Sequence, residues 1–416
     1  MKKIAIIVTD VAFAGEKGLG RMHYLAELLH SHGYEVELIT SRFQHWTKRF
    51  RTDAEMREIR ENSLCAVTFL DEIGYSKNVQ LRRVFSRRGL TRRIEAHLRE
   101  NQYDLIYCQI PDNHLAAAAA AHAREKGIPF VADIEDLWPE AMRMVLDVPV
   151  VSDVLFSGFA RDAEKTYRLA SAVVGSSDTY RDVPRKYQVS IPRSITVYVG
   201  NDLAAFDTGA AEHLAQVDKP EGEFWVTYAG TLGTSYDIPT LIRAADILEN
   251  RGAKGLRIVL LGDGPMRREF EALAKGERGK VRFVGYVNHG LMAAYLKKSD
   301  VTVNSLVSKA SQSIVSKIGD YLAAGCPMIN TGQDTEFREK TEHDGFGINV
   351  PPEDPEALAD AIEGLMRSPE IRAWMGGNAR RVSESQFDRA RSYRKILKLV
   401  DDLLDGSGVT KPREAL

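Results

Sequence analysis

Two stretches of this chain hold residue types that can do chemistry together. In residues 308–331 (SKASQSIVSKIGDYLAAGCPMINT), Gln312, Ser313, Lys317 and Asp320 fall on or beside one face of a helix expected over 313–324. A cation and a carboxylate one turn apart, next to the free N–H groups of a helix start, suit a ligand that is part phosphate and part ribose. In residues 133–140 (DIEDLWPE), Asp133, Glu135, Asp136 and Glu140 place four carboxylates in eight positions. They follow the end of an expected strand, where open α/β sheets hold their ligands. A helix N-cap role before Trp138-Pro139 accounts for Asp136 alone, not for all four.

Glycines punctuate the same kind of position. Gly15, Gly18 and Gly20 follow the first expected strand with the spacing G-x-x-G-x-G. Gly230 and Thr231, Gly262 and Gly264, and Gly285 follow three later strands. Such turns let backbone N–H groups approach a phosphate, and several in one domain weigh more than one. The spacing is not the dinucleotide G-x-G-x-x-G, and Thr40 and Ser41 stand where a ribose-binding acid would end the second strand. A nicotinamide cofactor is therefore not expected.

The elements that must position these residues read as two α/β series. Apolar runs without alternation at 3–9, 35–40, 104–108, 128–132, 172–176 and 195–199 are strands of a buried parallel sheet. Helices lie between them, and the first series closes at Gly200-Asn201-Asp202. Small, polar and charged residues over 204–223 read as a linker. A second series has strands at 225–229, 256–261, 281–284, 301–305 and 328–330. Within 313–324, Ile314, Ile318 and Leu322 make the buried stripe; Gly325 ends the helix and Pro327 prevents its continuation. The expected fold class is thus α/β, with two Rossmann-like doubly wound domains: 1–203, then the linker, then 224–385, followed by a C-terminal crossover helix and tail over 386–416 that returns to the first domain.

With 416 residues, the chain is long for one core, and 44% hydrophobic and 27% charged content is ordinary for a globular protein. A net charge of −2 gives no ground for nucleic-acid binding. Cys65, Cys108 and Cys326 are too few and too scattered for a disulfide framework or a metal knuckle. A cytoplasmic location is expected, and no stretch is long and apolar enough for a spanning helix. Residues 42–100 are unusual. Arg82, Arg83, Arg87, Arg88, Arg92 and Arg93 carry no intervening acid, and Phe43, Trp46, Phe50 and Phe85 are interleaved with Arg42, Lys48, Arg49 and Arg51. Such a patch suits the headgroups of an anionic membrane, which would make the protein peripheral at its inner face; the alternative is a solvated excursion.

From residue 4 to about 404 the chain resembles the GT-B glycosyltransferases of the retaining family-4 group. The likeness rests on 15–20, on 133–140 (similar to H-D-x-W-P), on 228–233 (YAGTLG), on 260–265 (LLGDGP) and on 308–331. The last is similar to an E-x7-E element followed by A-x-G-x-P, in the branch found in bacterial surface-polysaccharide enzymes. The resemblance implies two domains facing across a cleft and a nucleotide diphosphate-sugar, a UDP-sugar, as co-substrate. It implies no metal and no bound cofactor. Asp320 would accept the ribose hydroxyls and Gln312 would contact the donor sugar. The amides of Ser313, Ile314 and Val315 would hold the sugar and diphosphate, with Lys317 offsetting phosphate charge. Gly18 and Gly20 would approach the same diphosphate, as would the turns at Gly230, Thr231, Gly262 and Gly264. Asp136, with Glu135, is the expected catalytic carboxylate, acting on the hydroxyl of a glycan or lipid-linked glycan. Three departures stand out: Gln312 is neutral where the family has Glu, Glu135 replaces the histidine before Asp136-Leu-Trp-Pro, and no arginine follows the first C-domain strand. A nucleotide-sugar epimerase and a non-catalytic glycosyltransferase-like partner subunit are the alternatives.

Overall fold

The computed structural model describes residues 1–16, 20–77, 80–136, 149–274, 280–310 and 314–406, with the side chains of 149–156 left aside. It divides into two compact units, Met1–Val197 with Tyr393–Leu416, and Tyr198–Ser392.

The first unit is built on a seven-stranded sheet. Its strands in chain order are β1 (Lys3–Ile7), β2 (Glu35–Ser41), β5 (Ala66–Leu70), β6 (Leu105–Ile110), β7 (Phe130–Ile134), β8 (Ala172–Gly175) and β9 (Ser194–Thr196). They lie in the order β5-β2-β1-β6-β7-β8-β9, and every pair is parallel. A short antiparallel hairpin, β3 (Phe43–Gln44) with β4 (Arg49–Phe50), stands beside it. The doubly wound arrangement follows from β1 itself. Ile4 and Ile6 enter one apolar cluster with Met22, Leu25 and Leu29, while Ala5 and Ile7 enter another with Leu90, Ile94 and Leu115. A strand apolar on both faces is stable only when helices cover both.

The second unit has six parallel strands in the order β12-β11-β10-β13-β14-β15. These are β10 (Phe224–Ala229), β11 (Leu256–Leu261), β12 (Val281–Gly285), β13 (Val301–Asn304), β14 (Met328–Asn330) and β15 (Gly347–Asn349). Trp225 and Ala229 face one cluster, Val226 and Tyr228 the other.

The structure corrects several expectations. Residues 204–223 are not simply a linker: Leu203–His213 is a helix capped by Asp202, and Leu203, Phe206 and Ala210 are buried in the second unit's core. Alanines and a glycine between those three apolar positions hide their helical spacing. Residues 42–100 are no excursion either. Besides the hairpin and β5 they hold the helices Asp53–Asn62 and Leu81–Glu100, the first closed by a capping box of Thr52 and Glu55.

The C-terminal helix Arg394–Leu404 does return to the first unit. Ile396, Leu397, Leu399, Val400 and Leu403 are buried with Ile4, Met22 and Leu25 in one cluster. Truncating Ile396 to Ala removes buried apolar volume there and is expected to lower stability by about 2–5 kcal/mol; urea unfolding of the full chain measures it, and an unchanged midpoint would show that the helix adds nothing to this core.

Candidate active site

The stretch 308–331 begins later as a helix than its sequence suggests. Helix Ile318–Ala324 has Lys317 at its N-cap and Gly325 at its C-cap in the left-handed conformation. Ile314, Val315 and Ser316 have poor helix propensity, and Ile314 and Val315 instead lay their side chains on the second unit's core. The seven-residue helix therefore does not begin at Ile314 or Val315, whose N–H groups were expected at its start, and Gln312 and Ser313 lie outside the described residues. Of the expected stripe, Ile318 and Leu322 are fully buried on the helix, while Ile314 lies before it and is half-buried. Tyr321 fixes this helix to the end of β10: its hydroxyl accepts from Ala229 N at 2.8 Å and lies 3.0 Å from Ala229 O, to which it donates.

Lys317 is brought into an aromatic cage. Its Nζ lies 4.2 Å from the centroid of Tyr228 and 4.1 Å from that of Tyr236. A Cβ on Gly230 would stand 3.5 Å from it. It is buried and has no hydrogen-bond partner among the described residues. Burial pushes its pKa well below the usual lysine value. A desolvated ammonium held only by ring faces is incomplete, and an anion placed against it would restore its charge.

Asp320 is oriented from two sides. Asn201 Nδ2 donates to its Oδ1 at 3.3 Å, and His289 Nε2 lies 3.1 Å from the same atom. The chain reaches Asp320 closely because Gly319 packs on Gly200–Asn201; a Cβ at Gly319 would meet Gly200 C at 3.1 Å. The hydrogen bond to Asp320 raises the pKa of His289 against the opposing effect of burial.

The glycine turns of the second unit serve a different end from the expected one. Gly230 N donates to Leu261 O at 2.9 Å, and Gly262 N to Gly285 O at 2.7 Å, so neither amide is left for a phosphate. A Cβ on Gly262 would fall 1.9 Å from Gly230 O, and one on Gly264 would fall 2.3 Å from Leu232 O. These glycines let successive strand ends pack backbone against backbone. Thr231 is exposed beside them, its carbonyl accepting from Tyr228 Oη at 2.7 Å.

In the first unit, Gly18 lies outside the described residues, and Gly20 precedes the helix Arg21–Ser31 and lines a groove of about 460 Å³ with Phe13, His23 and Tyr24. Arg21, which the sequence did not single out, is fully buried at the C-terminal end of the sheet. Its Nη1 donates to Asp133 Oδ1 at 2.7 Å and to Glu135, and its Nε donates to Tyr393 Oη at 2.9 Å. Tyr107 donates to the other oxygen of Asp133, and Gln109 Nε2 donates to Glu135 Oε2 at 2.6 Å. Burial pushes Asp133 up to about 6, with Arg21 opposing and Glu135 adding to the rise. Asp133 and Glu135 are thus committed to Arg21, and Glu135 is not poised as a free base. Asp136 is half-buried at the edge of this cluster, and Glu140 lies outside the described residues.

The basic stretch divides as well. Arg82, Arg88, Arg92 and Arg93 are exposed on helix Leu81–Glu100, and Arg83 is half-buried. Arg87 is 8% exposed and its Nη2 donates to both carboxylate oxygens of Asp10 at 2.7 Å, so it cannot belong to a surface patch. Arg51 is buried too: it pairs with Glu16 and donates to Ser41 O at 2.8 Å, anchoring the start of the glycine-rich turn.

Raising the His289 pKa has a defined sign. The folded state holds the proton more tightly than the unfolded chain, so this contribution to stability is complete below about pH 6.5 and is lost as pH rises through the folded value. The stability difference between wild type and His289→Gln is expected to shrink between about pH 6 and 8; denaturant unfolding at a series of pH values measures it, and a pH-independent difference would contradict the pairing.

The chain compares with known proteins in both halves. The family described as "Glycosyl transferase 4-like domain" matches residues 19–202, and "Glycosyl transferases group 1" matches residues 223–368. The alpha-D-kanosaminyltransferase of Streptomyces kanamyceticus is 26% identical over 278 residues, 60% of this chain and 69% of the relative. Among solved structures, the Anabaena HepE protein in complex with UDP superposes with a TM-score of 0.70 at 16% identity, covering 97% of this chain and all of the other. Sucrose-phosphate synthase of Thermosynechococcus elongatus gives 0.71 at 19% identity, covering 98% of this chain and all of the other. Matched domain by domain along most of its length, with two parallel-sheet units of the GT-B type, the chain belongs to the glycosyltransferases, a family-4-like domain followed by a group 1 domain.

Proposed function

We propose that this glycosyltransferase moves a sugar from a nucleotide diphosphate-sugar, a UDP-sugar, to a hydroxyl of a glycan or lipid-linked glycan, with retention and without a metal, in cell-surface polysaccharide synthesis. The observation that carries the donor class is Lys317, a buried ammonium with no anion against it among the described residues. A diphosphate oxygen against Nζ would complete it, and Asp320, already oriented by Asn201 and His289, would accept the ribose hydroxyls. That UDP and UDP-glucose occupy crystals of the similar HepE protein supports the same donor.

In the reaction, the bond from the anomeric carbon to the phosphate oxygen breaks and its electron pair leaves with the nucleoside diphosphate. The bond from the anomeric carbon to the acceptor oxygen forms. Charge grows on the departing phosphate, and Lys317 meets it where water is excluded. The acceptor's proton passes to Asp136 or to the departing phosphate oxygen. Glu135, engaged by Arg21 and Gln109, holds the arginine in place instead. That commitment is also what favours the second reading, a partner subunit that binds donor without consuming it.

A thermal-shift titration with UDP tests the donor site. Saturation at about 100 times Kd should stabilise the protein by about 2.7 kcal/mol. Lys317→Met, which fills the same cage without charge, should fold and lose most of the shift; an undiminished shift would remove Lys317 from the site. Donor consumed only when an acceptor glycan is present marks transfer, product from donor alone marks an epimerase, and binding without turnover marks the partner subunit.

The exposed Arg82, Arg88, Arg92 and Arg93, with Leu81 and Phe85 also exposed on the same helix, are proposed to rest on an anionic membrane surface. Co-sedimentation with phosphatidylserine vesicles should fall steeply when the four arginines are changed to Gln; retention equal to wild type would rule the surface out.

A further inference from the structure

We propose, resting on the transfer reaction above, that the groove beside Gly20 holds an uncharged sugar residue of the acceptor glycan, set back from the hydroxyl that reacts. The groove lies in the first unit and takes about 460 Å³, within the roughly 300–1,000 Å³ of small-molecule pockets. It begins at Gly20, on the C-terminal side of the sheet where such folds take their ligands, and follows helix Arg21–Ser31 past His23 and Tyr24 to Glu27. At 1.5 Å of rise per residue, that path is about 10 Å long.

The charges on the lining select against an anion. Among the described residues, no lysine or arginine lines the groove. Glu16 brings no unpaired charge to it: Arg51 donates to both its oxygens at 2.7 Å, and Phe13 N and Gln44 Nε2 donate to them as well. Glu27 differs. Its Oε1 accepts from Leu64 N at 3.4 Å and lies 3.3 Å from His23 Nε2, while Oε2 has no hydrogen-bond partner among the described residues. A phosphate here would meet a carboxylate and no cation.

The hydrogen bonds around His23 fix what it offers. Ser63 Oγ donates its hydrogen to Ile59 O at 2.7 Å, so at 3.1 Å from His23 Nε2 it accepts, and Nε2 carries the ring hydrogen. Burial holds His23 below the usual histidine pKa against the pull of Glu27, so at pH 7 the ring is neutral and Nδ1 is an acceptor. Nδ1, Glu27 Oε2 and the exposed amide of Asn62 thus face a ligand as acceptors for O–H groups. Phe13, edge-to-face with His23 at 4.9 Å, and Tyr24 add ring surface. A pyranose matches both, with its C–H face for the rings and its hydroxyl rim for the acceptors.

The full-length protein is titrated by calorimetry with maltose, cellobiose and diacetylchitobiose, with octyl maltoside, and with glucose 1-phosphate. Saturable binding of at least one free disaccharide is expected, at least tenfold tighter than that of glucose 1-phosphate. Ala14→Trp fills the groove from an exposed position and should abolish this binding, and Glu27→Ala should weaken it about tenfold. Urea midpoints show which variants are folded; if Ala14→Trp is not, Glu27→Ala decides. Silence of all three disaccharides, equal affinity for glucose 1-phosphate, binding of octyl maltoside alone, or undiminished affinity in either folded variant overturns the proposal. The UDP thermal shift is read on the same samples. A UDP shift without disaccharide binding fails the groove alone, while disaccharide binding without a UDP shift fails the donor reading and leaves the groove a sugar site.

Discussion

The buried guanidinium of Arg21 is the constraint on which the first unit depends. It joins the start of the helix after β1, the end of β7 and the residue that opens the C-terminal helix, through Asp133, Glu135 and Tyr393. A charge this far from water is tolerable only while its partners stay in place. Removing one member of such a cluster commonly costs 3–5 kcal/mol, because it strands the rest. Asp133 and Glu135 are therefore spent mainly on architecture.

Buried arginines and the buried ammonium of Lys317 differ in the partners they hold. Arg21 has two carboxylates and a tyrosine, and Arg51 has Glu16 and two carbonyls. Among the described residues, Lys317 has only the faces of Tyr228 and Tyr236. Ring faces offset part of the desolvation of an ammonium and leave its hydrogens without acceptors. On the proposed reading, a leaving diphosphate would find its counter-charge already dry and fixed there, so that little reorganisation would be needed as the bond breaks.

The sheets, the two α/β series and the returning C-terminal helix were legible because buried parallel strands are unbroken apolar runs and Gly325 marks a helix end by itself. Lys317 and Asp320 were legible from spacing along one short segment. Arg21 was not, since its partners lie 112 and 372 positions away and no local pattern records them. The glycine turns misled for a related reason. A glycine that admits a phosphate and one that admits a neighbouring backbone look alike in sequence, and only the approach of Gly262 to Gly230 tells them apart. The arginine run misled in the same way, because Arg87 turns inward to Asp10 while its neighbours along the helix face water. The late start of helix Ile318–Ala324 reflects packing of Ile314 and Val315, which overrode the regular stripe.

The first unit is discontinuous, and this sets an order of events at birth. On the ribosome, residues up to Val197 emerge with their sheet complete but with the surface that later receives Ile396, Val400 and Leu403 bare, and with Arg21 lacking Tyr393. At ~5–20 residues per second, the missing helix follows roughly 10–40 s later. The second unit, a continuous segment, is synthesised whole in that interval. The nascent chain thus carries an apolar face through nearly half of its synthesis, a window in which chaperones, or a second nascent copy, have access that the finished enzyme denies.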